Sequence, residues 1–212
     1  MTSRPAVIVL AAGRGSRFQG VHHKLTQPVG ASSVLATTID NALAAELPVL
    51  VVTTEPLADL VSRHVATRDI VLLPDANGSA SSAATSQGLG MGYSIAAGVA
   101  ARSDASGWLI LPADMPLVQP TTLRCVGQLL EHHPVAYAQH QGKRGHPVGF
   151  AAELYSELVR LTGDEGARRL VARYPSKAVE VDDPGVLLDI DTVDDLTHLR
   201  ASYAMSPFQN SV

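Results

Sequence analysis

The feature that most limits what this chain can fold into is a recurring pair: a short run that is apolar throughout, then a longer stretch with helical spacing. Residues 6–11, 48–53, 70–73 and 108–111 are such runs, and residues 34–45, 57–66, 93–101 and 121–130 carry the helical patterns that follow them. A strand without polar alternation is buried on both faces, and a helix is the usual crossover between two parallel strands. The pattern predicts an α/β chain with a mainly parallel central sheet covered by helices on both faces. The second half is less regular. Residues 135–139, 147–150, 178–181 and 186–190 read as strands, and residues 154–161, 166–174 and 193–203 as helices. Pro175 ends the second of these helices and Thr192 is placed to cap the third.

No repeat or linker divides the 212 residues, so residues 1–205 are expected to form a single domain and residues 206–212 a tail. Aromatics make up only 4% of the chain, which leaves Val, Leu, Ile and Ala to fill the core. Residues 77–87, rich in Ser, Ala and Gly, read as a surface loop. The net charge is −4 and no basic run exceeds two residues, which argues against a binder of polymeric nucleic acid. Cys125 is the only cysteine, so neither an internal disulfide nor a cysteine metal cluster can form. The apolar run 6–12 is too short to span a bilayer, and the residues after it do not resemble a leader cleavage site. The cytoplasm is the expected compartment.

The most informative stretch follows the first strand: Leu10-Ala11-Ala12-Gly13-Arg14-Gly15-Ser16-Arg17, with Lys24 beyond it. In open α/β sheets, ligands bind at the carboxyl ends of the strands. Gly13 and Gly15 let the backbone turn and approach a ligand, and Arg14, Arg17 and Lys24 bring cations to the same loop. Glycines, exposed N–H groups and cations together suit a triphosphate; the plainer reading is a strand-to-loop turn with solvated arginines. The P-loop pattern G-x-x-x-x-G-K-S/T is absent. Phe18 occupies the third glycine of a G-x-G-x-x-G fingerprint, which argues against a dinucleotide site.

Three acidic positions follow strand-like runs. Asp114, between Pro112 and Pro116, sits near the surface at a strand end where Mg²⁺ could meet carboxylate and phosphate oxygens. Its alternative role is an Asx-turn or helix cap. Asp189 and Asp191 would share one face of a continuing strand, one completing the metal site and the other capping the last helix, with Asp189 favoured as the ligand. Gly163-Asp164-Glu165-Gly166 reads either as a helix start with favourable acidic residues or as a loop closing over a second substrate. Gly92-Tyr93-Ser94-Ile95-Ala96 approaches a hydrolase elbow, but the stretch before it is unlike a strand, so Ser94 is placed early in a helix. There, with Gly90, it would contact a nucleobase or ribose. The pairs His22-His23 and His132-His133 have diverging side chains and do not suit zinc.

Taken together, the loop at 10–17 with Lys24 resembles the nucleotide-binding signature of the nucleoside-triphosphate transferase fold. Within that fold the chain most resembles the molybdenum cofactor cytidylyltransferase group. Gly90-Met91-Gly92-Tyr93-Ser94-Ile95, Pro112-Ala113-Asp114-Met115-Pro116, Gly145-His146-Pro147-Val148, 163–168 and Asp189-Ile190-Asp191-Thr192 follow in family order. The family's Met-Gly after the arginine is Phe18-Gln19 here, and Lys24 lies seven residues after Arg17, against about five in the family.

The resemblance implies a Rossmann-like nucleotidyltransferase fold, three-layer α/β/α with a mixed sheet. It implies a nucleotide-binding N-terminal half and an acceptor-binding C-terminal half. It also implies transfer of CMP from CTP to the phosphate of molybdopterin, with pyrophosphate released and the product passed to a molybdenum hydroxylase. In that reading Arg17, Lys24 and Asp114 are catalytic, and Leu10, Ala11, Ala12, Gly13, Gly15, Arg17, Lys24, Gly90 and Ser94 bind the nucleotide. Asp114, Asp189 and Asp191 bind Mg²⁺, with Mn²⁺ as the alternative ion. His146, Pro147, Gly163, Asp164 and Gly166 meet the acceptor. Guanylyltransferases of the related group carry Leu-Ala-Gly-Gly where this chain has Leu10-Ala11-Ala12-Gly13. The competing expectations are GTP as donor, another small-molecule phosphate as acceptor, or a redox or binding protein that keeps the fold without transferase chemistry.

Overall fold

The computed structural model describes residues 3–13, 18, 23–74 and 90–205. Arg14, Gly15 and Arg17, the segment 77–87 and the tail 206–212 lie outside the described residues. The strands are β1 (Ala6–Leu10), β2 (Pro28–Val29), β3 (Ser32–Ser33), β4 (Val49–Thr54), β5 (Ile70–Leu73), β6 (Gly107–Pro112), β7 (Val135–His140), β8 (Lys143–Ala151) and β9 (Ser176–Glu180). The helices are α1 (Val34–Ala44), α2 (Glu55–Val61), α3 (Met91–Ala101), α4 (Pro120–Leu129), α5 (Tyr155–Leu158), α6 (Arg168–Arg173) and α7 (Val193–Met205).

Seven strands form one sheet in the order β5-β4-β1-β6-β8-β7-β9, and β2 pairs with β3 separately. β1 runs parallel to both β4 and β6, and β5 parallel to β4. β8 is antiparallel to β6 and β7, and β9 is parallel to β7, so β8 alone opposes the rest of the sheet. A local turn causes that reversal. Gln141 and Gly142 both have positive φ (50° and 75°), the requirement of a two-residue hairpin whose twist matches its strands.

Alternation along the buried strands builds two cores. Val7 and Val9 face one side with Val49, Val51, Leu109 and Leu111, where α1, α2, α4 and α7 cover them. Ala6 and Ile8 face the other side with Leu50, Val52, Trp108 and Ile110, under α3, α5 and α6. The result is the expected three-layer α/β/α fold with a mainly parallel, mixed sheet. Each large aliphatic side chain so buried contributes roughly 1.5–3 kcal/mol. Local signals set several boundaries. The Ser33 hydroxyl caps α1 by accepting from Ala36 N–H at 3.2 Å. Pro120 opens α4, where its missing N–H costs nothing.

The reading of residues 186–190 as a strand is corrected. A 3-10 turn occupies Pro184–Leu187, because Pro184 starts it and the Asp183 carboxylate accepts from Gly185 N–H at 3.1 Å. Residues 154–161 hold only a 3-10 turn (Ala152–Leu154) and the one-turn α5. The helix placed at 57–66 starts two residues earlier, with Pro56 in its first turn, and ends at Val61. Thr192 caps α7 as expected: its hydroxyl accepts from Asp195 N–H at 3.1 Å while Asp195 accepts from Thr192 N–H at 2.7 Å, a reciprocal box.

Gly98 sets how closely α3 lies on the sheet. A Cβ there would stand 2.4 Å from Ile8 Cγ2 and 2.9 Å from Val52 Cγ2, both on stiff β-branched side chains in the core. Gly98→Ala should therefore destabilise the chain by about 1–3 kcal/mol despite its better helix propensity. The urea midpoint measures this, and an unchanged or raised midpoint would mean that α3 can shift freely.

Candidate active site

β1 lies between β4 and β6, so the chain leaves it for opposite sides of the sheet, and the crevice expected at such a reversal opens past Leu10 and Pro112. Two hydrogen bonds hold this corner: Ala11 N–H donates to Val52 O at 2.7 Å, and Ala113 N–H to Leu10 O at 3.1 Å. Leu10 and Ala12 are half-buried and Ala11 is buried, so the loop begins anchored. Gly13 is exposed, and a Cβ there would meet nothing within 4 Å. This is open space in which a ligand can reach the backbone.

The chain returns to the corner at His23, which sequence reasoning had set aside as half of a histidine pair. Its Nδ1 accepts from Leu25 N–H at 3.2 Å, so Nε2 carries the proton and donates to Gly13 O at 3.3 Å. Burial lowers its pKa, with Lys24 adding to the effect against the Gly13 bond. A neutral His23 thus ties the two ends of the loop together. The longer spacing from Arg17 to Lys24 was the one signal that such a tie was needed.

Lys24 follows at the start of a 3-10 turn (Lys24–Thr26). Its ammonium donates to Asp114 Oδ2 at 2.6 Å and to Asp191 Oδ1 at 2.9 Å, contacts spanning 90 and 167 residues of chain. Burial works against the charged ammonium, but Asp114 and Asp191 outweigh it and hold the Lys24 pKa above its ordinary value. Asp114 was expected near the surface, yet its side chain is only 17% exposed. Its turn is fixed from three directions. Thr38 Oγ1 donates to Ala113 O at 2.9 Å, Asn41 Nδ2 to Pro116 O at 2.9 Å, and Ile190 N–H to Asp114 O at 3.0 Å.

Asp191 is oriented by the α7 cap, since its N–H donates to Asp195 Oδ2 at 3.1 Å. Asp189 is exposed, and its pKa is raised by partial burial and then by the charges of Asp114 and Asp191. Of the two aspartates, Asp191 is the one that shares Lys24 with Asp114. His146, joined to buried Pro147 by a cis bond, also faces this corner. Burial lowers its pKa, with Arg144 adding to the effect and Asp114 opposing it, so the imidazole is neutral at neutral pH.

A second group lies at the start of α3. Trp108 Nε1 donates to Arg102 O at 2.9 Å, which puts the end of α3 at the start of β6 and therefore Gly90 at the ligand end of the sheet. Gly92 N–H donates to Gly163 O at 2.9 Å. A Cβ on Gly90 would stand 2.2 Å from Gly163 C and 2.5 Å from Asp164 Oδ1. Gly163 and Gly166 have φ of 69° and 58°, which lets the loop fold back onto the helix. Gly90, assigned to nucleotide, therefore lies against Gly163 and Asp164, assigned to acceptor, and Gly166 lies against Met91 beside it. Ser94 is 5% exposed, inside α3, which fits neither a strand-borne elbow nor an open nucleophile.

Oxygen donors and one buried carboxylate atom suit a hard cation. Among the described residues Asp114 Oδ1 is buried without a hydrogen-bond partner, beside an ammonium that already occupies the carboxylate pair. No group of three or more His, Cys, Asp or Glu able to hold a metal occurs among those residues. Two carboxylates completed by substrate phosphates are what Mg²⁺ commonly takes. No helix among the described residues is long and apolar enough to cross a membrane.

Comparisons with known proteins bear on the fold and the family. The crystal structure of Rv0371c from Mycobacterium tuberculosis is 28% identical, with a TM-score of 0.76 over 95% of this chain and 99% of that one. A complex of Rv0371c with manganese, also 28% identical, has a TM-score of 0.73 over 94% and 100% of the two chains. The bifunctional protein GlmU of Stenotrophomonas maltophilia is 33% identical over 124 residues, 58% of this chain and 25% of that protein. The chain thus spans about a quarter of the length of the curated relatives it matches. The profile of the MobA-like NTP transferase domain matches residues 7–179, and the chain belongs to that family.

Proposed function

We propose that this chain is a nucleotidyltransferase that moves CMP from CTP to the phosphate of a molybdopterin-type acceptor, releasing pyrophosphate. The observation that carries the transferase reading is the Lys24 ammonium held between Asp114 and Asp191 beside the open backbone of Gly13. An acceptor phosphate oxygen attacks the α-phosphorus, the bond to the β-phosphate oxygen breaks, and the electron pair leaves with pyrophosphate. Such chemistry needs positioning and charge neutralisation rather than a protein nucleophile.

Asp114 and Asp191 are the residues that would hold Mg²⁺ or Mn²⁺, with Asp189 at the edge of the same corner. Bound there, a divalent cation supplies positive charge to the triphosphate oxygens and to the leaving group. Gly13 presents backbone to the phosphates, and His23 keeps that backbone in place. Lys24, charged at neutral pH, offsets the charge that builds on pyrophosphate, together with Arg17. Neutral His146 and Pro147 border the acceptor side, and Gly163, Asp164 and Gly166 close against the α3 start at Gly90. The molybdopterin acceptor and a molybdenum hydroxylase as recipient rest on the family resemblance.

Asp114→Asn should lower transfer by on the order of 10³-fold, about 4 kcal/mol of barrier. Asp114→Ala should also destabilise the chain, because Lys24 then keeps only Asp191. Pyrophosphate release with each of the four triphosphates, Mg²⁺ and candidate acceptors measures it. Near-wild-type turnover by Asp114→Asn would remove this residue from the mechanism.

Lys24→Ala should reduce kcat more than it raises KM for the nucleotide, since a leaving-group contact strengthens in the transition state. An effect confined to KM would restrict Lys24 to ground-state binding.

The base choice depends on Ala12. Ala12 is half-buried and packs at the edge of the core under α3, and in this reading its methyl takes room that a glycine would leave for a purine. One methyl discriminates by about 1–3 kcal/mol, enough to bias the choice. CTP should be preferred over GTP, and Ala12→Gly should relax that preference. Equal or better use of GTP by the unaltered chain would sink the cytidylyl assignment and leave nucleotidyl transfer standing.

A further inference from the structure

Asp183 belongs to none of the groups above, yet it is a carboxylate only 2% exposed. Its Oδ2 accepts from Gln119 N–H at 2.9 Å and from the Thr122 hydroxyl at 2.6 Å. Its Oδ1 accepts from Gly185 N–H at 3.1 Å. α4 has no side-chain cap of its own, and a residue more than sixty positions away holds the N–H of its N-cap residue and a hydroxyl of its first turn. A buried carboxylate without these donors would be costly, and the donors without it would be left unpaired.

These bonds fasten one end of a strap. From Asp183 the chain passes over the backbone that follows Asp114, so closely that a Cβ on Gly185 would stand 2.3 Å from Leu117 O. The other end is fastened where Ile190 N–H donates to Asp114 O at 3.0 Å, with Ile190 buried. Asp189 and Asp191 flank that second fastening. The strap has no strand ladder to hold it; besides these two fastenings, buried Val186 seats it against Gly145 of β8 and the α7 cap orients Asp191, so Asp183 is one of the few contacts that set where the Asp191 carboxylate stands relative to Asp114.

We propose that Asp183 is a positioning residue for the cation site: by pinning the strap to the start of α4, it sets the Asp114–Asp191 spacing that a divalent cation must match. The inference rests on the metal reading of that corner. Its logic is that of any support for a coordinating carboxylate, where a displaced ligand weakens the site without leaving it.

The test uses the full chain and Mn²⁺ alone, without nucleotide, following free Mn²⁺ by its electron paramagnetic resonance signal. Asp183→Ala should weaken Mn²⁺ binding at least tenfold at a temperature where circular dichroism shows the chain folded. Asp183→Asn keeps an oxygen for Gln119 and Thr122 but sets its amide against Gly185 N–H, so it should fall between Ala and the unaltered chain. Val99→Ala, a core truncation away from the site, should lower Tm and leave Mn²⁺ binding unchanged. If Asp183→Ala is folded and binds Mn²⁺ within twofold of the unaltered chain, Asp183 is only structural and the inference is overturned. Should Asp183→Ala fail to fold, the same criterion applies to Asp183→Asn. Failure of the unaltered chain to bind Mn²⁺, both alone and with CTP present, would instead overturn the metal reading, and this inference with it.

Discussion

The corner where β1 and β6 end depends on one ammonium between two carboxylates. Lys24 is the nearest cation to Asp114 and Asp191 among the described residues, and Asp189 stands close enough for both to raise its pKa. Among the described residues, one ammonium thus stands with three carboxylates. Like charges a few ångströms apart in a half-buried site repel by several kcal/mol, on the order of 4 kcal/mol at 4 Å with an effective dielectric of 20. Lys24 offsets part of that repulsion, and a divalent cation brought with a triphosphate would offset the rest. An ammonium held this way stabilises both carboxylates through the same contacts.

Around that contact the fold acts as a frame of independent fastenings. β1 and β6, paired in one buried parallel ladder, carry Leu10 and Pro112 to the same height. His23 ties the outgoing and returning ends of the loop after β1. The box of Thr192 and Asp195 holds Asp191 at the start of α7, and Asp183 holds the segment before it. None of these groups reacts, yet each removes freedom from a group assigned to the reaction. Positioning of this kind is most of what a transfer between phosphates asks of a protein.

Much of the fold was legible because burial periodicity is local. The apolar runs at β1, β4, β5 and β6 are short and uninterrupted, and each proved to be a parallel strand of the sheet. The same reasoning failed at residues 186–190, where Val186-Leu187-Leu188 looks like a strand. Pro184 and a buried Asp183 turn that segment into a strap, and Asp182-Asp183-Pro184-Gly185 reads as an exposed turn until its partners are known. Asp114 was legible as a candidate because it comes just after a buried strand. Asp191 was not separable from Asp189, because alternation along a strand that does not form carries no information.

What the sequence determined by itself is the alternation of buried strand and covering helix, the open Gly13 loop and the carboxylate past β6. These follow from side-chain spacing within ten or so residues. What only the tertiary structure decided is which charges meet. Lys24 reaches Asp114 and Asp191 because β1 sits between β4 and β6, and because the Gln141-Gly142 hairpin reverses β8 so that the chain comes back across the Asp114 turn. Those contacts close loops of 90 and 167 residues, and a pairing at such separation is set by strand order rather than by any pattern written near either partner.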